Sequence, residues 1–313
     1  MTNLDPIADL AVPALVWLLM LAVGLELTPG DLRRVVVYPK AVLVATLGQL
    51  LLLPAIAAAL IWALRPEPTV VAGMILLAAS PGGALSNVYT YLARANLALS
   101  VTLTALSTLL ALISMPLLTA AGMALFLDRQ DAIPVPFARM VGQLVLLMVL
   151  PLGLGMALRH GWPGLVRHVG RWLRRLSLLG LAILVGAILY AQRADLASGL
   201  GPMVTAALIF FVTAMLTGWV LGWMVGLNRR DRFTLLLEFG VRNLALVALI
   251  GITVFGRVEL VLFATLFLVV EMPIVLLLAG LHGRRAGPTD TAELVGGEPG
   301  SPSHDREANA PVH

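Results

Sequence analysis

Cysteine is absent from this 313-residue chain, which removes disulfides and thiolate metal sites and leaves the redox compartment open. Charge is scarce too, at 12% of residues against roughly a quarter in a soluble domain. A chain so poor in charge lacks the polar surface to coat a water-facing globule. Lysine is nearly missing, with Lys40 alone beside 20 arginines, a bias that fits a bacterial inner-membrane protein. No basic stretch precedes the first apolar block and no small-residue cleavage site follows it, so the block is expected to be retained as a span. What is present is apolar: 59% hydrophobic residues and a mean hydropathy of +0.95. The pI near 10.1 does not announce nucleic acid, because the basic residues are scattered between apolar blocks rather than gathered on one face.

Stretches near 20 residues that avoid charge fall at about 8–27, 39–64, 70–93, 98–126, 138–158, 174–191, 203–226, 233–255 and 258–280. The expectation is an all-α polytopic membrane protein of about nine spans over residues 1–285, followed by a disordered cytoplasmic tail at 286–313. Spanning strands would alternate and be about half this length, which excludes a sheet. With nine spans the connectors alternate sides. The set that includes Arg33, Arg34, Lys40, Arg94 and the basic loop Arg159 to Arg175 is nearly threefold richer in Arg and Lys. That side is read as cytoplasmic, which puts the N-terminus outside and the C-terminus inside, in the plasma (inner) membrane. Trp162 and Trp172 flank the most basic loop as interfacial anchors, and His160 and His168 within it are expected to be solvated.

Two spans carry features that a plain anchor avoids. The third reads Ser80-Pro81-Gly82-Gly83-Ala84-Leu85-Ser86-Asn87, where proline removes a donor and two glycines tolerate almost any dihedral. Either the helix is interrupted there, or proline only kinks it. Broken backbone at mid-depth is tolerable only where it lines a cavity or is buried in protein. The eighth reads Glu238-Phe239-Gly240-Val241-Arg242-Asn243. An unpaired charge at the bilayer centre costs at least ~3 kcal/mol, so both charges face the interior. Glu238 and Arg242 either pair at i,i+4 to tie helices together, or flank a second interruption whose freed backbone serves a ligand.

If spans 1–4 and 6–9 are repeats, span 3 corresponds to span 8. The offset of five spans is odd, so the repeats are inverted, the arrangement of a secondary transporter with paired discontinuous helices. A half-helix N-terminus then offers amides to an anion, and carbonyls, hydroxyls and a carboxylate suit sodium. Ser100 and Thr104 in span 4 lie one turn apart and share a face.

The run Pro81 to Arg94, continuing through Ser100 to Thr104, resembles the bile acid:sodium symporter family, as do Gln49 with Pro54 and the segment Glu238 to Asn243. The likeness extends from about residue 10 to 280. It implies a nine-helix member with a core of spans 2, 3, 4, 7, 8 and 9 and a panel of spans 1, 5 and 6. It further implies sodium-coupled symport of an organic anion, with no organic cofactor and a monomer or weak dimer in the bilayer. A first sodium site is implied at Ser86, Asn87, Ser100, Thr104 and Glu238. A second is implied at Gln49, Glu238, the carbonyls of Phe239 and Val241, and the side chain at 242. Substrate contacts are implied at Ala84, Asn243, Arg242 and Glu271.

The sequence departs at Arg242, where well-studied relatives carry glutamine. A guanidinium has five donors and no acceptor, so it cannot ligate a cation. It either stands in for the second sodium, leaving transport coupled to one ion, or turns to the substrate cavity and grips a carboxylate or sulfonate. A proton-coupled or sodium-independent carrier using Glu238 and Arg242 is the alternative function. Glu26 is read as an interfacial carboxylate or a coupling group, and Glu271 as lining a cavity or pairing helices. Paired catalytic carboxylates, histidine metal ligands in spans and a nucleophile–base pair are all missing, which argues against an enzyme.

Overall fold

The structure, a computed structural model, describes residues 6–28, 30, 34–127 and 133–285. The segment read as a tail, 286–313, lies outside the described residues. The helices are α1 (Pro6–Glu26), α2 (Pro39–Leu64), α3 (Pro68–Ala79), α4 (Leu85–Leu92), α5 (Leu97–Phe126), α6 (Phe137–Gly161), α7 (Pro163–Ala191), α8 (Arg193–Met224), α9 (Arg229–Gly240), α10 (Leu244–Val254) and α11 (Glu259–Arg285). Six of the described helices are long and apolar enough to cross a membrane, and the shorter apolar helices include α3 and α10. Large apolar side chains such as Trp62, Leu125 and Trp223 stand exposed on the outside, as a lipid-facing surface requires. The chain is thus a helical, polytopic membrane protein.

Proline punctuates the helices in two ways. Pro39, Pro68 and Pro163 open α2, α3 and α7, where the missing N–H would have had no acceptor. Pro54 and Pro151 fall inside α2 and α6, and each follows a five-residue π-turn, Gly48–Leu52 and Val145–Val149. A proline ring crowds the carbonyl four residues back, and a wider turn relieves that clash. Gln49 sits in the first of these turns and is buried.

Both expected interruptions are present. α3 stops at Ala79, and Ser80, preceding Pro81, is extended at φ −68 and ψ 152. α9 stops at Gly240, and Val241 is extended at φ −98 and ψ 111. The two extended segments meet in an antiparallel bridge between Gly82 and Arg242. Gly83 N–H donates to Val241 O at 3.1 Å, and Asn243 N–H donates to Pro81 O at 3.1 Å. Glycine is required at this crossing: a Cβ on Gly83 would lie 2.7 Å from Arg242 O.

The broken helices form the centre. Residues Val70 to Ala79 of α3 are all buried, and so are Leu244 to Leu249 of α10. Such helices, apolar all round, belong inside a bundle rather than at its surface. α2, α5, α8 and α11 pack around them, while α1 packs chiefly on α6 and α7. The α1–α6 crossing is close because Gly24 faces Leu152 O and Gly155 faces Leu21 O, each leaving no room for a Cβ. At one end of the bundle Asn96 ties the two broken helices' neighbourhoods together. Its Oδ1 caps α5 by accepting from Leu99 N–H at 3.0 Å, and its Nδ2 donates to Asp231 Oδ1 at 2.8 Å.

Candidate functional site

Beside the crossing, three helices converge on one carboxylate. Glu238, in the last turn of α9, is fully buried. Ser86 from α4 donates to Glu238 Oε1 at 2.5 Å, Ser100 from α5 reaches the same oxygen at 2.5 Å, and Thr104 lies 3.2 Å from both carboxylate oxygens. Asn87 Oδ1 stands 2.9 Å from Ser100 Oγ and 3.5 Å from Thr104 Oγ1. The five residues expected at a first cation site are therefore in mutual contact. Ser100 has a single proton for two acceptors, and Thr90 Oγ1 donates to it in turn at 3.2 Å. The cluster holds more oxygen lone pairs than protons, which is the chemistry that a hard monovalent cation satisfies.

The residues expected at a second site are placed less compactly. Gln49 and Arg242 line one small cavity of about 20 Å³, room for roughly one water or ion, together with Ser80, Ser107 and Ser114. Gln49 Oε1 is buried without a hydrogen-bond partner. Phe239 lies in the last turn of α9, whose carbonyls have no intrahelical donor, and Val241 O already accepts from Gly83. Arg242 Nη2 donates to Ala78 O at 3.4 Å, at the carbonyl end of α3, while its Nε and Nη1 have no partner. The guanidinium thus lies at the negative end of a half-helix. Among the described residues Glu238 and Arg242 form no ion pair, because the chain leaves the helix at Gly240 and the i,i+4 relation no longer applies.

Of the residues expected at substrate, Ala84, Asn243 and Arg242 line a cavity bounded by α1, α4, α7 and α10. Asn243 caps α10 by accepting from Leu246 N–H at 3.2 Å. Glu271 does not line that cavity; it is fully buried in α11, close enough to Arg242 for their charges to interact. Neither of its carboxylate oxygens has a hydrogen-bond partner.

Three lining residues were not singled out as cavity residues from sequence. Glu26 accepts an ion pair from Arg174, and both line the cavity with Ser177. Arg174 reads in sequence as one more charge of a basic loop, and Ser177 as a polar residue near a span's start. The i,i+3 spacing that puts both on one face was the available signal.

These features define a multi-pass helical membrane protein with a buried polar crossing, the architecture of a transporter rather than of an anchor. The sodium bile acid symporter family model matches residues 13–199, and the chain belongs to that family, whose members are transporters rather than enzymes. It is 34% identical over 239 residues to a probable sodium/metabolite cotransporter of Arabidopsis thaliana chloroplasts, covering 76% of this chain and 58% of the relative. An uncharacterized sodium-dependent transporter of Bacillus subtilis is 26% identical over 250 residues, 78% of this chain and 74% of its own. The human ileal sodium/bile acid cotransporter is 30% identical over 173 residues, 54% of this chain and 48% of its own. The chain spans under three-fifths of the length of the Arabidopsis relative above and of its rice counterpart.

Proposed function

We propose that this protein is a secondary transporter that carries an organic anion into the cell with sodium, by alternating access. The observation that carries the reading is the convergence of Ser86, Asn87, Ser100 and Thr104 on Glu238 beside two interrupted helices. In this reading nine spans form two inverted repeats, joined by the fifth. α2, α3–α4, α5, α8, α9–α10 and α11 are the core, and α1, α6 and α7 the panel that rocks against it. The basic connectors face the cytoplasm of a plasma-membrane protein.

Coupling to one sodium follows from charge. The buried ionisable groups around the crossing are Glu238, Glu271 and Arg242. Two carboxylates and one guanidinium leave a single negative charge for one sodium at the Glu238 cluster. Arg242 supplies the second positive charge permanently, and its contact with Ala78 O at the end of α3 supports that role over one in gripping substrate. Uptake into proteoliposomes tests the proposal: a sodium gradient should drive accumulation, with a sodium dependence of first order. Full-rate uptake without sodium would sink it in favour of the proton-coupled or sodium-independent carrier.

A further inference from the structure

The cavity beside the crossing has two polar ends, and only one belongs to the crossing. At that end stand Asn243, Arg242, whose guanidinium reaches back to Ala78 O, Ala84 and the start of α4. Apolar side chains follow, among them Leu19, Val23, Leu181 and Leu268. At the other end, on α7, stand Arg174 and Ser177. Ser177 is 1% exposed, and its hydroxyl has no hydrogen-bond partner. Arg174 is one turn away on the same helix face and half exposed, held by Glu26 across from α1.

Beyond Glu26 the space continues. Glu26, Ala22, Val88 and Arg174 also line a second, wider cavity, which adds Arg159 and Arg171. Arg159 does not compete for the Glu26 carboxylate; it donates to the backbone oxygens of Leu25 and Glu26 at the end of α1. The described lining of the two cavities thus offers three arginines on α6 and α7, Arg242 at the crossing, and one acidic side chain. Glu26 and Arg174 sit where the two cavities join.

Building on the reading above of an anion carrier, we infer that Arg174 and Ser177 on α7 bind the anionic headgroup of substrate, with Glu26 as an internal carboxylate that occupies Arg174 until substrate displaces it. The ligand class is an amphipathic organic monoanion. Its carboxylate or sulfonate takes the guanidinium and the free hydroxyl, its apolar body lies along Leu19 and Leu181, and a polar far end meets Asn243. The exchange keeps the guanidinium paired, and the released Glu26 carboxylate, a third exposed, is left on the side of the wider cavity that Arg159 and Arg171 line.

Opposite signs of effect test this. Thermal stabilisation of the full-length protein in detergent is measured with hexanoate and with taurocholate, and with hexanamide as the uncharged counterpart of hexanoate. At least one anion should raise the melting temperature of the wild type, and hexanamide should not. Arg174→Gln and Ser177→Ala should weaken anion binding, the former by about tenfold or more. Glu26→Gln should strengthen it, since the internal competitor is gone. An ion pair that only ties α1 to α7 predicts instead that Glu26→Gln and Arg174→Gln weaken binding alike, and that result overturns the assignment. So does a wild type stabilised by no anion, or equally by hexanamide. Stabilisation by NaCl over choline chloride, read on the same samples, should survive all three substitutions. Its absence in the wild type would count against sodium coupling and leave the headgroup test standing.

Discussion

Gly82 pairs with Arg242 in the only bridge among the described residues, and this pairing is where the two interrupted helices hold one another. Gly83 beside it has no space for a side chain, since a Cβ would sit 2.7 Å from Arg242 O. Gly83→Ala is therefore expected to push the crossing apart, costing about 1–3 kcal/mol of stability. A thermal melt should show the loss, and uptake should fall with it. A variant as stable and active as the wild type would mean that the two segments need not touch.

Glu238→Gln is expected to abolish stabilisation by sodium. When sodium stands roughly a hundredfold over its dissociation constant, binding contributes about 2.7 kcal/mol, and that increment should vanish in the variant. Melting curves in NaCl and in choline chloride measure it. Ser100→Ala should give a partial loss, because it removes one of several oxygens around the same carboxylate.

Arg242→Gln returns an oxygen donor to the small cavity shared with Gln49 and raises the buried negative charge by one. Uptake should become more steeply dependent on sodium concentration while substrate affinity is retained. Loss of substrate affinity with an unchanged sodium dependence would place the guanidinium on the substrate instead.

Asn96→Ala removes the N-cap of α5 and the hydrogen bond to Asp231 together. A stability loss of about 1–2 kcal/mol is expected from the cap. The Asn96 side chain bonds Leu99 and Asp231 and no member of the Glu238 cluster, and alanine keeps the carbonyl that accepts from Ser100 N–H, so the sodium increment in the melting temperature should persist. A variant that lost that increment would tie this end of the bundle to the ion.

Much of this was legible in the residues, and the parts that were not have a common cause. Pro81 with two glycines, and Gly240 between two charges in an apolar span, announce breaks because their backbone chemistry is local. The grouping of Ser86, Asn87, Ser100 and Thr104 around Glu238 followed the resemblance, not any spacing. The i,i+4 relation of Glu238 and Arg242 proved empty, since it presumes a helix that ends at Gly240. Arg174 and Ser177 went unread because their meaning depends on where α7 crosses α1. No local pattern carries a crossing between helices so distant in sequence. The π-turns before Pro54 and Pro151 were equally silent: a proline in a span signals disturbance, but not which turn absorbs it.

The bridge at the crossing is made entirely from backbone groups of Pro81, Gly83, Val241 and Asn243. The side chain at 242 therefore takes no part in the bridge itself, and its one hydrogen bond, to Ala78 O, lies outside it. Glutamine and arginine, or any residue that the small cavity admits, leave the same four groups joined. If transport is coupled as proposed, a single codon would change what drives it without redrawing the bridge, and position 242 would be a place where coupling can be revised.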